Sequence, residues 1–332
     1  MKNVLTLLFF FIITIFTKAQ TIKLLTSGTK TSMRGLSVVD DKTIWVSGSN
    51  GIFGRSINGG ETWNFNTIKG FEKTEFRDIE AFDDMNAIIM SIDAPAYILR
   101  TIDAGATWNI VFKDSTKGMF LDAMEFWNEQ SGIVIGDPID GKFFIARTFD
   151  GGKNWKPIPL QNRPLADSGE ACFASSGTNI RKLNKQEAVF VSGGLHSNIF
   201  IRNTKINIPI IQGTESTGAN SIAVKNEKTF IIVGGDFNTK DSSSNNIAFT
   251  NDAGKTWRKS IESPHGYRSC VEFINKKTWV TCGLNGADIS NDNGINFTKI
   301  SDIGFHVCRK AKKGNAVYFA GGGGRIGKLI SK

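Results

Sequence analysis

The chain has 332 residues and a formal net charge of +9, with 40% hydrophobic and 21% charged residues, a globular balance that excludes intrinsic disorder. Glycine stands out at 35 residues against only 7 prolines, which excludes collagen-like and proline-rich architecture and points to many tight turns. The 7 tryptophans and 25 phenylalanines can fill a large core, and no basic stretch is interleaved with aromatics as nucleic-acid binding would require.

Residues 1–19 read as a signal peptide. Lys2 precedes an apolar run over 4–16, and Thr17-Lys18-Ala19 places small residues before a cut at Gln20. The run is shorter than the ~20 residues a membrane span needs, and no later segment is apolar enough to span. The expected product is exported, periplasmic or secreted, with residues 20–332 as the mature domain. A single β-strand is predicted over 21–26. The pattern then becomes periodic: short alternating segments over 33–39, 43–49 and 53–57, separated by Asp40-Asp41 and Asn50-Gly51 turns.

The third segment runs into an eight-residue motif with Ser or Thr first, Asp or Asn third, Gly fifth and an aromatic eighth. It occurs as Ser56–Trp63, Thr101–Trp108, Thr148–Trp155, Thr250–Trp257 and, more weakly, Ser290–Phe297. Its third position falls at Asn58, Asp103, Asp150, Asp252 and Asp292, spaced by 45, 47, 102 and 40 residues. The gap of 102 holds two periods, with a decayed copy at Arg202-Asn203-Thr204. The motif fits a hairpin turn between strands three and four: the carboxylate accepts turn N–H groups, glycine supplies positive φ, and the aromatic faces the core. These five residues are therefore structural.

After the last motif the chain offers strands over 305–310, 315–320 and 325–330 and then ends, one strand short. Pairing the 21–26 strand with this last unit closes a ring and protects its edges. The predicted fold is all-β: a seven-bladed β-propeller of four-stranded antiparallel blades, closed by the N-terminal strand and read as a monomer. Six or eight blades remain alternatives.

The eight-residue motif resembles the Asp-box, or BNR repeat, of sialidases and related propellers. Longer stretches are similar to a narrower group, the plant and cyanobacterial photosystem II stability/assembly factors. They are Phe76-Arg77-Asp78-Ile79, Asp122–Trp127, Gly136-Asp137-Pro138, Glu170–Ala174, Val233–Asp236 and Gly266–Ser269. The resemblance covers nearly all of 21–332 and implies a seven-bladed propeller without known catalysis that binds a protein client. Members outside photosynthetic organisms often carry the label oxidoreductase. No GxGxxG between a strand and a helix, and no flavin or metal pattern, supports that label here, so no cofactor is expected. Gly321–Gly324 before Arg325 reads as a strand-connecting turn.

Strand order puts the motifs on one face of the disc and assigns binding to the opposite face and its channel mouth. Aligning first strands superposes Met33-Arg34-Gly35-Leu36, Phe76-Arg77-Asp78-Ile79, Tyr267-Arg268-Ser269-Cys270 and Phe305-His306-Val307-Cys308, with Leu121, Glu170 and Asn220 at the same position in blades 3, 4 and 5. Arg34, Arg77, Arg268 and His306 then form a cationic arc facing Glu170 and Asn220, suited to a carboxylate or acidic peptide end, with His306 strengthening binding below neutral pH. The bland alternative is that these charges satisfy one another. The loops between strands two and three add Asp93, Asp137, Asp140, Asp236, Asn285 and Arg325.

A protein or peptide client is the first functional reading. A glycan-binding or sialidase-like glycoside hydrolase is the alternative, with Glu170, Asp137 and Asp140 as candidate acids. Cys172, Cys270 and Cys308 align as a buried apolar position. Cys270 and Cys282 flank one turn and could form a disulfide, and no CxxC or Cys/His cluster suggests a metal.

Overall fold

A computed structural model describes residues 20–26, 29–202 and 204–331 of the chain. The predicted signal peptide lies outside the described residues, as does Asn203 of the decayed motif. Seven antiparallel sheets follow one another along the chain. The first strands of blades 1 to 7 are Met33–Val38, Phe76–Ala81, Leu121–Phe126, Ile180–Lys182, Thr217–Asn226, Cys270–Asn275 and Val307–Lys310.

Blade 7 is completed as the sequence predicts. Gln20–Thr26 pairs antiparallel with Ile326–Ser331, so the two ends of the described chain share one sheet. This joint covers the edge of Ile326–Ser331 and makes Gln20–Thr26 the outer strand of blade 7. Two blades depart from the simple pattern. In blade 5 the fourth strand shrinks to one bridge, Phe249 exchanging both backbone bonds with Arg258 (3.0 and 2.8 Å). Blade 4 gains a side pairing of Glu170–Ala171 with Gly193–Gly194, which continues into blade 5 at Gly218.

The inner strands are buried on both faces because each blade lies between two others. Ile44–Gly48 and Ala87–Ser91 are buried at every residue, hence their unbroken apolar runs, whereas the outer Asn64–Thr67 is mostly exposed. The core is a set of interblade layers. Between blades 1 and 2, Trp45, Phe53 and Phe76 pack with Ile79, Ile89 and Leu99. The motif aromatic joins these layers: Trp108 meets Phe53 edge-on at 5.2 Å.

Candidate functional site

All five motif copies form the same turn. The first hydroxyl donates to the third-position side chain and accepts the fifth-position glycine N–H. In blade 5, Thr250 Oγ1 donates to Asp252 Oδ1 at 2.8 Å and accepts Gly254 N–H at 3.0 Å; Asp252 also accepts Thr256 N–H at 2.9 Å and its hydroxyl at 2.6 Å. Asn58, Asp103, Asp150 and Asp292 repeat the bond from the seventh-position N–H at 2.9–3.0 Å. Bonds from Thr256 and Thr250 hold the Asp252 carboxyl down at about 2. The geometry uses these side chains fully inside the turn.

The channel is closed at the end where the first strands begin, and one segment closes it. Residues 172–178 reach every blade. Cys172 N–H donates to Asp137 of blade 3 (2.9 Å), and Arg34 of blade 1 donates to Ser175 O (3.2 Å). Ser175 Oγ donates to Asn220 of blade 5 (2.8 Å) and Ser176 Oγ to Ser269 O of blade 6 (2.7 Å). Arg309 of blade 7 donates to Gly177 O (3.2 Å). Gly177 lies so close to Asp78 of blade 2 that a Cβ would sit 2.4 Å from its carboxyl, and its φ of +61° also favours glycine.

This plug leaves a sequence signal. Thirteen residues separate Trp63 from Phe76, Trp108 from Leu121 and Trp257 from Cys270, but twenty-five separate Trp155 from Ile180. The insertion explains the misplacement of Glu170, which lies fifteen positions after Trp155, near where blade 4 would start at the regular spacing. Glu170 instead lies beside that blade, accepting from Asn198 Nδ2 (2.9 Å), Asp167 N–H (2.7 Å) and the Ser192 hydroxyl. Thr178 precedes the true first strand, Ile180–Lys182, and takes the position expected for Glu170.

Backbone equivalences correct two other blades. Met33 N–H bonds Gly321 O, Phe305 N–H bonds Gly283 O, and Arg268 N–H bonds Gly234 O. Arg268 is thus the counterpart of Met33 and Phe305, and Ser269, not Arg268, matches Arg34 and Arg77. The Arg268 side chain is wholly buried. It binds Asp288 through Nε (2.6 Å) and Nη2, Asn285 Oδ1 at 2.7 Å, Tyr267 O at 2.9 Å and His265 O at 2.8 Å. In blade 3 the pairings Leu121↔Gly136 and Ala123↔Ile135 match Phe76↔Ser91 and Asp78↔Met90, so the position belongs to Asp122 rather than Leu121. The Asp122 carboxyl is wholly buried; burial and then the Asp137 charge push its pKa well up, against the pull of Arg77 and the Ala174 backbone. Burial likewise raises Asp137 to about 6.

Of the predicted residues, Arg34, Arg77 and His306 do converge, on blades 7, 1 and 2, and Arg325 joins them. His306 is buried, bonds Ser32 Oγ through Nε2 (3.2 Å), and has its pKa lowered to about 3 by burial and then by Arg34, Arg325 and Arg77. It stays neutral through the physiological range, which corrects the expected pH response. Glu75 lies 3.7 Å from Arg77 Nε, and the buried Asp122 carboxyl is also within electrostatic reach of Arg77. Asn220 sits across the plug, accepting from Ser175 and from Tyr267 OH (2.7 Å). Asp236 turns inward on its own loop, accepting Asn238 N–H (2.9 Å). Asp140, exposed at a hairpin tip, does not meet Glu170 across a cleft.

The concave end is the other one, on the face that carries the motifs. A funnel of about 1140 Å³ opens there. Its floor takes one residue from each blade: Ser37, Glu80, Glu125, Arg181, Ala223, Glu272 and Arg309. Arg181 lies 3.6 Å from Glu125 and 3.4 Å from Glu272. Burial raises Glu272, against the pull of Arg181 and Arg309. Sequence reasoning missed this ring because its members differ in type between blades. Lys182, Lys185, Lys225, Lys312 and Lys313 stand around its wall.

No family model matches the chain, and no curated protein matches it. Solved structures do. YCF48 bound to D1 peptide superposes with a TM-score of 0.65 at 16% identity over 96% of this chain and 97% of that one. YCF48 from Cyanidioschyzon merolae gives 0.63 at 15% identity, covering 93% and 98%. The WD40 propeller domain of Doa1 gives 0.61 at 12% identity, covering 95% and 97%. At these identities the likeness establishes the shared propeller fold.

Proposed function

We propose that this chain is a non-catalytic, exported propeller that holds a protein or peptide client through an acidic group, at the end of the channel where Arg34, Arg77 and Arg325 converge. The observation that carries the reading is a charge imbalance: three guanidiniums lie within electrostatic reach of one buried neutral imidazole, set against Glu75 and the buried Asp122, whose ionisation burial suppresses. A planar guanidinium binds a carboxylate through two parallel bonds, so such a cluster is completed by an anionic partner. The plug supplies the floor, with Arg34 anchored on Ser175 O. The structural likeness to YCF48 bound to D1 peptide supports the same reading. Export rests on the leader pattern of residues 1–19; N-terminal sequencing of secreted material should begin near Gln20.

The test is capture of partners from the exported fraction by wild type and by an Arg34→Gln/Arg77→Gln variant, with a Lys182→Glu/Lys312→Glu variant probing the funnel. Loss only in the arginine variant supports the site. Loss only in the funnel variant moves the client to the motif face. Turnover of a fluorogenic sialoside by wild type would replace this reading with glycan chemistry.

A further inference from the structure

Three of the four cysteines meet in one place. Cys270 and Cys282 face each other in register on the first two strands of blade 6, and Cys308 comes from the first strand of blade 7. The three sulfurs all lie within 4.8 Å of one another, with Cys270 and Cys308 at 3.7 Å, and all three residues are completely buried. The surroundings are apolar: Val280, Ala287, Phe305 and Val307 belong to the same core layer. None of the four cysteines is in a disulfide.

Three thiolates at the usual ~2.3 Å from one metal stand about 4.0 Å apart in a trigonal plane. The Cys270–Cys308 edge of 3.7 Å is close to that spacing, and the other two edges do not exceed 4.8 Å. The backbone of Cys308 lies against Cys270 Sγ, its carbonyl at 3.3 Å, and Thr178 Oγ1 donates to the same sulfur at 3.6 Å. A neutral hydroxyl is a poor fourth ligand for zinc, which takes four-coordinate structural sites, whereas soft sulfur sets suit Cu(I). We propose that Cys270, Cys282 and Cys308 form a trigonal site for one soft thiophilic ion of the Cu(I) class, built between blades 6 and 7.

Cys270 Sγ accepts Cys308 N–H at 3.4 Å. Coordination releases the protons of the bound thiols, and the Arg181 and Arg268 charges oppose the resulting negative charge. The site has no exposed atom to receive an ion from solvent, so loading accompanies folding.

Reduced protein, residues 20–332, is refolded anaerobically with Cu(I) against a chromophoric competitor, and in parallel with Zn(II). The expected result is one copper per chain, a thiolate-to-copper absorption band and a higher melting temperature. Cys282→Ser and Cys308→Ser should each weaken binding more than about 100-fold, beyond the usual effect of an outer-shell change. Cys172→Ser, whose thiol instead faces Val191 O, should bind as wild type does. If the serine variants fail to fold, copper-induced stabilisation of wild type with sulfur-only coordination in X-ray absorption serves instead. The proposal falls if wild type binds no stoichiometric copper, if Zn(II) is retained in preference, if Cys282→Ser binds undiminished, or if protein isolated without reductant lacks two hydrogens because a pair of these thiols is joined.

Discussion

Replacing Arg268 by methionine separates a structural arginine from a binding one. The substitution keeps the aliphatic stem and removes the guanidinium that spans Asp288, Asn285, Tyr267 O and His265 O. Asp288 stays wholly buried, left with His265 Nδ1 at 2.6 Å and with the His265 N–H and Thr281 Oγ1, each at 3.4 Å. Breaking one side of a buried ion pair costs about 3–5 kcal/mol, because the remaining charge has lost its solvent and its partner. At roughly 2–4 °C per kcal/mol, the melting temperature should fall by about 6–20 °C. The double variant Arg268→Met/Asp288→Leu should recover most of this, since removing both charges leaves none unpaired. The assay is calorimetric melting of the three variants, with client binding measured on the folded fraction. If Arg268→Met stays within ~1 kcal/mol of wild type and loses client binding, Arg268 belongs to the ligand site and the buried placement is wrong.

Thr250→Val conserves shape but strips Gly254 N–H of its acceptor, so chemical denaturation should show a loss of about 1–3 kcal/mol with binding unchanged. Deleting residues 20–26 uncovers the Ile326–Ser331 edge; scattering and calorimetry should show a lower melting temperature and association between chains, and an unaltered melt would reject closure by this strand. Asp78 is buried, and its pKa rises from 3.8 to about 7 in the fold. The folded state therefore holds the extra proton between those values, and its stabilisation is lost as pH rises through about 7. The stability of Asp78→Asn relative to wild type should increase between about pH 4 and pH 8. Over about pH 5–8 the ring resonances of His306 should not titrate, given a pKa of about 3.

Local chemistry made the architecture legible in sequence. Each turn motif closes its hydrogen bonds within eight residues, and each strand shows its burial by alternation or by an unbroken apolar run, so motif, blade count and the closing strand could all be read along the chain. The convergence of Arg34, Arg77 and His306 followed from the same repeat logic, because consecutive blades place equivalent residues side by side. What failed was register. A one-residue offset sends Arg268 into a buried ion pair with Asp288 of its own blade and puts Asp122 where Leu121 was expected, and a strand's side-chain period of two makes such a slip decisive. The insertion before Ile180 was visible as extra length, but not its path across the channel, which depends on partners from all the other blades. Cys270 and Cys308 are 38 residues apart yet 3.7 Å apart at sulfur. Their meeting, the closed and open ends of the channel, and the charged floor of Glu125, Arg181, Glu272 and Arg309 exist only once the ring has closed, because each is assembled from different blades.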